Sequence, residues 1–335
     1  MKNEESRPLT CLCCGKPLPQ AASDYEGKVR WHAACIHRFF GIKTLPELSL
    51  TEEVLKQLVE ENTQRGFTVP GVQKKLSLHL ETTGQNSRLT LVNYPTGYIL
   101  KPQSETYPAL PEAEFLTMLM AQKTGIPTVP FALLNSDSPA YITRRVDRLL
   151  PRKKSEAVRL LAMEDFCQLD ERLTEDKYHG SYEGCARVIK RYSSRTGLDL
   201  SELFLRLVFC FVTGNSDMHL KNFSLLETAP ESAEYALAPA YDLLPVNVVN
   251  PADTEQTALT LNGKKRNLHR NDFLHFAETA GIPKEAAVKM IQKVVSLRET
   301  YLELIAESYL PTDLKDAFSA LVEERTTALY PAAKA

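Results

Sequence analysis

"FVTGNSDMHLKNFSLL" (Phe211–Leu226) is the stretch on which the fold turns. It continues the apolar run "SELFLRLVFCFV", places Asn215, Asp217, His219, Lys221 and Asn222 in quick succession, and returns to "FSLL". The apolar run reads as a buried helix that anchors a polar loop. Within the loop, Asp217 and Asn222 are spaced D-x-x-x-x-N, and twenty residues on "APAYDLLP" supplies Asp242. One carboxylate able to accept a proton, followed by an asparagine and a second aspartate able to hold Mg²⁺, is what phosphoryl transfer requires. The metal takes hard oxygen ligands and bridges phosphates, while the first aspartate orients the attacking hydroxyl. His219, between them, could contact a phosphate. Taken alone, the stretch fits an Asx-turn loop joining helix to strand equally well.

Working outward, Lys101 closes "YILK", an apolar strand from which a lysine can reach α- and β-phosphates and pair with a carboxylate on the next helix. Glu114 in "EAEFLTMLMA" is placed for that pairing, with Glu112 as the rival. "TVPGVQKKL" offers a Pro-Gly turn, backbone N–H groups and Lys75 before a strand, as a phosphate-covering loop would. Neither a Walker A nor a Rossmann fingerprint is present.

A chain of 335 residues is long for one hydrophobic core, so one large or two modest domains are expected. A net charge of -2 points to no broad nucleic-acid or membrane footprint. The longest apolar run, 203–213, is interrupted by Arg206 and too short to span a bilayer. "MKNEESRPLT" has no apolar core for a signal peptide, and a cytoplasmic protein is expected. The seven cysteines are unevenly placed, four of them within the first 35 residues, which fits reduced thiols with the first cluster open to metal.

The pattern divides into a Cys/His module (1–45), a strand-rich lobe (46–150) and a helical lobe (151–335). "TEEVLKQLVEEN" (51–62) reads as an amphipathic helix with Thr51 as N-cap. "KLSLHL", "SRLTLVN", "GYILKPQ", "VPFALLN" and "PAYITRRVDR" read as strands around one helix, "PEAEFLTMLMAQKTG". The second half reads as helices over 163–170, 181–196, 200–213, 271–280, 284–308 and 312–326, with a loop-and-strand region at 214–262. The expected fold class is α+β, two-lobed, with the chemistry at the junction of the lobes. In the module, Cys11-x-x-Cys14-Gly and His32-x-x-Cys35 suit a Cys₃His tetrahedral Zn²⁺ site, with Cys13 and His37 as spare ligands and four metal-free thiols as the alternative. A segment this small would need the metal to fold. It is not notably basic, which favours a structural or docking role.

Together, "TVPGVQKKL", "YILKPQ", "AYITRRVDR", "MEDFCQ", "GNSDMHLKNFSLL", "APAYDLLP" and "TALTLNGKK" resemble, in order, the HipA family of bacterial serine/threonine kinases, the toxins of toxin–antitoxin systems. The resemblance implies a two-lobed kinase-like fold, use of ATP and Mg²⁺, and phosphorylation of protein serines, in known members on aminoacyl-tRNA synthetases. It implies Asp217 as catalytic base, Asn222 and Asp242 as Mg²⁺ ligands, and His219 and Tyr241 beside the nucleotide. Lys101 would hold the phosphates, Pro70, Gly71, Val72, Gln73, Lys74 and Lys75 would form the phosphate loop, and Arg144, Arg145 and Val146 the hinge facing adenine. Arg-Arg-Val replaces the family's usual Glu-Arg-Phe at that hinge, so backbone contacts carry over rather than the side chain at 144. Thr68 stands where the family has an autophosphorylated serine, and Pro70 where short HipT-type members have a second one. The region before the loop is shorter than in full-length HipA proteins. That resembles HipT, whose partners are a HipB-like helix-turn-helix antitoxin and a small HipS-like protein, with DNA reached only through the antitoxin. Two other functions fit the residues less fully: a small-molecule phosphotransferase, and an inactive regulatory scaffold in an antitoxin–DNA complex.

Overall fold

The computed structural model describes residues 9–19, 28–48, 75–83, 86–90, 96–104, 106–135, 139–150 and 158–330. The expected helix 51–62, Thr68 and the loop residues Pro70 to Lys74 lie outside them. The chain forms two compact units, Met1–Phe115 with Val129–Val158, and Leu116–Thr128 with Arg159–Ala335.

The first unit is built on a five-stranded antiparallel sheet of order β2-β1-β3-β5-β4, from β1 (Leu76–Thr83), β2 (Asn86–Thr90), β3 (Tyr98–Lys101), β4 (Phe131–Leu134) and β5 (Ala140–Arg144). Lys101 sits opposite Tyr141, and Tyr98 opposite Arg144. Leu76, Leu78, Tyr98, Leu100, Tyr141 and Ile142 are buried on the sheet's central strands. Strand β6 (Arg148–Leu149) closes this part of the chain. In the Cys/His segment, helix α1 (Ala33–Phe40) ends at Gly41, whose left-handed φ of 75° lets its N–H reach the carbonyl of His37 at 2.8 Å. Trp31, Ile36, Phe39 and Phe40 are buried. Phe39 and Phe40 lie 5.9 and 5.3 Å from the Tyr98 ring, and Trp31 Nε1 donates to the carbonyl of Leu133 at 3.2 Å. The segment therefore shares a core with the sheet instead of standing as a bare metal knuckle.

Helix α2 (Leu110–Thr124) begins in the first unit and continues in the second. The rest of the second unit is mostly helical. Strands β7 (Arg159–Leu160) and β8 (Met163–Asp165) precede α3 (Phe166–Leu169), α4 (Tyr182–Tyr192) and α5 (Thr196–Val212). Strands β9 (Ser224–Glu227) and β10 (Tyr235–Leu237) follow, then α6 (Val246–Val249), α7 (Arg270–Ala280), α8 (Lys284–Ser296), α9 (Arg298–Glu307) and α10 (Thr312–Leu329). An antiparallel sheet of order β10-β9-β8 carries the polar loop. The segment expected as a helix over 163–170 is half strand: 163–165 pair with β9, and Asp165 then caps α3 through a reciprocal box with Gln168. The helix expected over 284–308 is broken at Leu297, where the Ser296 hydroxyl bonds the carbonyl of Lys293 and competes with the backbone ladder.

Helix α5 is buried from Leu203 to Val212, as an all-round apolar helix must be. Its two buried ionic side chains are both partnered. Asp199 accepts from the Ser193 hydroxyl, Arg195 Nε and the N–H of Leu237. Arg206 donates to Glu202 and to the carbonyl of Ala238. No helix among the described residues is long and apolar enough to cross a membrane.

Candidate functional site

In the second unit the polar loop leaves α5 through Gly214, whose φ of 67° lies in the left-handed region. A Cβ there would come within 2.4 Å of Leu321 Cδ2, so a side chain would have to displace the Leu321 tip as well as adopt a left-handed backbone. The Gly214 carbonyl accepts from the N–H of Asn247 at 3.0 Å. Asn247 Nδ2 in turn holds Ser216 Oγ and the carbonyls of Asp253 and Glu255. The Asn215 side chain accepts from the N–H of Asp217 at 3.2 Å. Residues 220–222 form one 3-10 turn and feed β9.

This scaffold sets the chemistry-bearing groups. Asn222 Nδ2 donates to the Asp217 carbonyl at 2.9 Å, which ties the two ends of the D-x-x-x-x-N motif together. That bond uses the amide nitrogen and leaves the amide oxygen for a cation. Tyr178, which sequence reasoning missed, donates its hydroxyl to Asp217 Oδ1 at 2.5 Å. Burial first, and then the Asp217 carboxylate, raise the Tyr178 hydroxyl above its ordinary range, so it remains a donor. The His219 ring packs edge-on against Tyr178 at 5.0 Å. His219 is buried, and its Nδ1 has no hydrogen-bond partner among the described residues. Burial lowers its pKa, against the opposing pull of Asp217 and, more weakly, Asp242. Asp242 is held at φ 55°, a left-handed conformation that aspartate tolerates better than most residues. Next to it, the Tyr241 hydroxyl bonds Ser224 Oγ at 2.5 Å and donates to the carbonyl of Lys221 at 3.2 Å. Lys221 itself pairs with Asp165 at 2.7 Å.

In the first unit, Lys101 Nζ and Glu114 Oε1 form an ion pair at 2.6 Å with both side chains buried. Lys101 also sits over the Tyr141 ring at 5.3 Å. Glu112, the rival, does not take the lysine: its Oε2 is buried without a partner among the described residues, and burial raises its pKa. Lys75 immediately precedes β1. At 144–146 the N–H groups of Arg144 and Arg145 already donate to the carbonyls of Pro130 and Gly97, both at 2.9 Å. A planar ligand at this segment must use other backbone groups. Arg145 forks onto Asp147 at 2.9 and 2.7 Å. Burial raises the Asp147 carboxyl, but Arg145 and Arg148 more than offset this and hold it below its usual range. The Arg144 guanidinium reaches the carbonyls of Arg38 and Phe39 at 3.3 and 3.4 Å, at the carboxyl end of α1. Cations suit that end of a helix, which gives arginine at 144 a physical reason that a glutamate would lack.

Also in the first unit, Cys11, Cys14, His32 and Cys35 bring one ligand atom each to within 4.8 Å of one another. Cys13 is half-buried and His37 exposed, and neither belongs to the group. Elsewhere Cys185 and Cys210 are fully buried, and burial raises both thiols, Cys210 to about 12.

The family model of the HipA-like C-terminal domain matches residues 67–300. A Haemophilus influenzae protein named "Putative kinase" is 27% identical over 277 residues, covering 76% of this chain and 79% of its own. Putative kinase Y4dM of Sinorhizobium fredii is 29% identical over 239 residues, covering 68% of this chain, and the match spans 57% of that protein's length. HipA in the Shewanella oneidensis MR-1 complex of HipA, HipB and operator DNA superposes with a TM-score of 0.68 at 17% identity, over 94% of this chain and 75% of that one. The Helicobacter pylori proinflammatory kinase CtkA superposes with a TM-score of 0.53 at 15% identity, over 78% of this chain and 90% of that one. The last two likenesses establish a common fold.

Proposed function

This chain belongs to the family of the HipA-like C-terminal domain, and on that premise we propose that it is an ATP-dependent protein serine/threonine kinase acting as the toxin of a HipA-type toxin–antitoxin system. The observation that carries the reading is the loop 214–222. There Asn222 is bonded to the backbone of Asp217, the Tyr178 hydroxyl is bonded to the Asp217 carboxylate, and Asp242 follows Tyr241, whose hydroxyl is bonded to the carbonyl of Lys221 in the same loop.

The donor set fits Mg²⁺: an amide oxygen and a carboxylate are hard ligands of the type it takes. Asn222 Oδ1 and Asp242 would hold it, and when bound it would neutralise developing charge on the phosphates. Asp217 takes the remaining role, accepting the hydrogen bond of the attacking hydroxyl and orienting it, with Tyr178 fixing the other carboxylate geometry. His219, kept neutral by burial, can offer a hydrogen bond to a nucleotide oxygen without adding a fixed charge. Lys101, held extended by Glu114, would contact the α- and β-phosphates. Residues 70–75 would cover the phosphates and 144–146 face adenine. The target would be a protein of the translation machinery such as an aminoacyl-tRNA synthetase, with Thr68 as a self-phosphorylation site. The antitoxin partner would be HipB-like, with a HipS-like protein as a second partner, and DNA contact would be indirect.

The test is incubation of the purified chain with γ-labelled ATP, Mg²⁺ and cell lysate. A labelled protein band that disappears with Asp217→Asn supports the reading. Label confined to small molecules would replace it with a small-molecule phosphotransferase, and no label at all with a regulatory scaffold.

A further inference from the structure

The Cys/His segment contains a second polar constellation that the phosphoryl-transfer reading does not use. We propose that Cys11, Cys14, His32 and Cys35 bind one Zn²⁺, and that this site holds helix α1 so that its carboxyl end grips Arg144 on strand β5.

The argument begins with distances. Zn–S bonds of about 2.3 Å and a Zn–N bond of about 2.0 Å, set tetrahedrally, give ligand–ligand edges of about 3.5–3.8 Å. Cys14 Sγ lies 3.5 Å and Cys35 Sγ 3.9 Å from His32 Nδ1. All four ligand atoms fall within 4.8 Å of one another. The ligands come from two pieces of chain in the arrangement a structural zinc site uses. Cys11 and Cys14 flank a tight knuckle in which Gly15, at φ 69°, donates to the carbonyl of Cys11 at 2.9 Å. His32 and Cys35 stand at the start of α1.

The outer contacts agree with the inner ones. His32 Nε2 lies 3.2 Å from the carbonyl of Pro17. Donation to that carbonyl places the ring proton on Nε2 and turns the Nδ1 lone pair toward the sulfurs, the tautomer a metal needs. The N–H of His32 points at Cys11 Sγ at 3.4 Å, and Arg38 donates to Cys35 Sγ at 3.4 Å, both contacts that support a thiolate. His32 occupies the N-cap position of α1 but makes no capping bond. Its side chain faces the sulfurs instead, so the helix start is left to be fixed by ligation.

The role follows from what α1 does at its other end. Its last carbonyls, on Arg38 and Phe39, accept from the Arg144 guanidinium, and Phe39 and Phe40 pack on Tyr98, the cross-strand neighbour of Arg144. An eight-residue helix is too short to be stable by itself. Zinc at one end and the aromatic cluster along its flank keep its orphan carbonyls under Arg144. None of this depends on the kinase reading.

Metal analysis of the full-length chain purified under reducing conditions tests the first half. One zinc per chain is expected, lost in Cys14→Ser and Cys35→Ser and kept in Cys13→Ser. Should the serine variants prove insoluble, Co²⁺ exchange into the wild-type protein decides, because a tetrahedral thiolate site gives an intense visible and sulfur-to-cobalt spectrum. Hydrogen exchange tests the second half. Chelation should raise exchange at 33–40 and 140–144 while leaving 224–227 unchanged, and Arg144→Met should raise exchange at 38–41 with zinc content intact. Four titratable thiols with no bound metal, a bound iron–sulfur chromophore, or loss of zinc from Cys13→Ser with retention in Cys14→Ser would overturn the site. Zinc removal without any change at 140–144 would overturn its role.

Discussion

The loop 214–222 and the Cys/His segment 9–41 both set polar groups against buried aromatic rings, yet they differ in what else is gathered there. The loop is organised by hydrogen bonds drawn from across the second unit: Asn247 to its entry, Tyr178 to Asp217, Tyr241 to Lys221. It leans on α5, whose buried residues form much of that unit's core. The Cys/His segment is also tied to its sheet, through Trp31 and Leu12 to Leu133 and through its last helical carbonyls to Arg144, but in addition it concentrates three sulfurs and an imidazole at one point. One region is shaped by the protein alone, so changes there alter chemistry before they alter folding. On the zinc proposal the other is shaped in part by ligation as well, so loss of the metal would be first a loss of structure. Preorganised dipoles cost little at the moment of reaction, whereas a metal knuckle spends its binding free energy on order.

The sharpest way to break this contrast is Asp217→Asn. Phosphoryl transfer should fall by about 10³-fold, within the range for a positioned base, with an unchanged melting curve. A large drop in melting temperature would show that the loop is also structural. Next is Lys101→Met in the first unit. It removes the ion-pair partner of the buried Glu114, and chemical denaturation should report a loss of about 3–5 kcal/mol. The double variant Lys101→Met with Glu114→Leu should recover most of that stability and none of the turnover. Gly214→Ala should cost about 1–3 kcal/mol in the same assay, from the left-handed φ and the approach of Leu321. The smallest effect is a pH dependence. The folded pKa of His219 lies below its unfolded value near 6.5, so the unfolded chain binds more protons as pH falls through that value. Stability should therefore decline below about pH 6.5, by at most about 1.4 kcal/mol per pH unit for one site. His219→Gln should flatten the slope, and denaturant midpoints from pH 5 to 8 would measure it.

The contrast also explains what could be read from the residues in advance. Asp217, His219 and Asn222 lie within six positions, and Cys11, Cys14, His32 and Cys35 have ligand spacing, so local pattern exposed both. Lys101 and Glu114 are separated by a strand–helix step, which left Glu112 as a rival to Glu114 until the ion pair at 2.6 Å chose between them. Tyr178 lies 39 residues from Asp217 in a stretch with no motif, and only the packing of the second unit brings its hydroxyl to the carboxylate. The break at Leu297 was invisible because it needs neither proline nor glycine. The strand at 163–165 was hidden because its identity comes from pairing with β9, a partner about sixty residues away. The family resemblance supplied the assembled picture that periodicity could not. The common HipA-like fold agrees with it.

Gly214 carries a consequence for inheritance. Its missing Cβ is the space that Leu321 Cδ2 occupies from α10, so the two positions behave as linked genetic loci. A selection for suppressors of Gly214→Ala should return smaller residues at 321 before it returns anything inside the loop. Those suppressors would relieve the crowding but leave the left-handed backbone uncorrected. Rescue would be partial, and its shortfall would measure how much of the glycine's necessity is conformational.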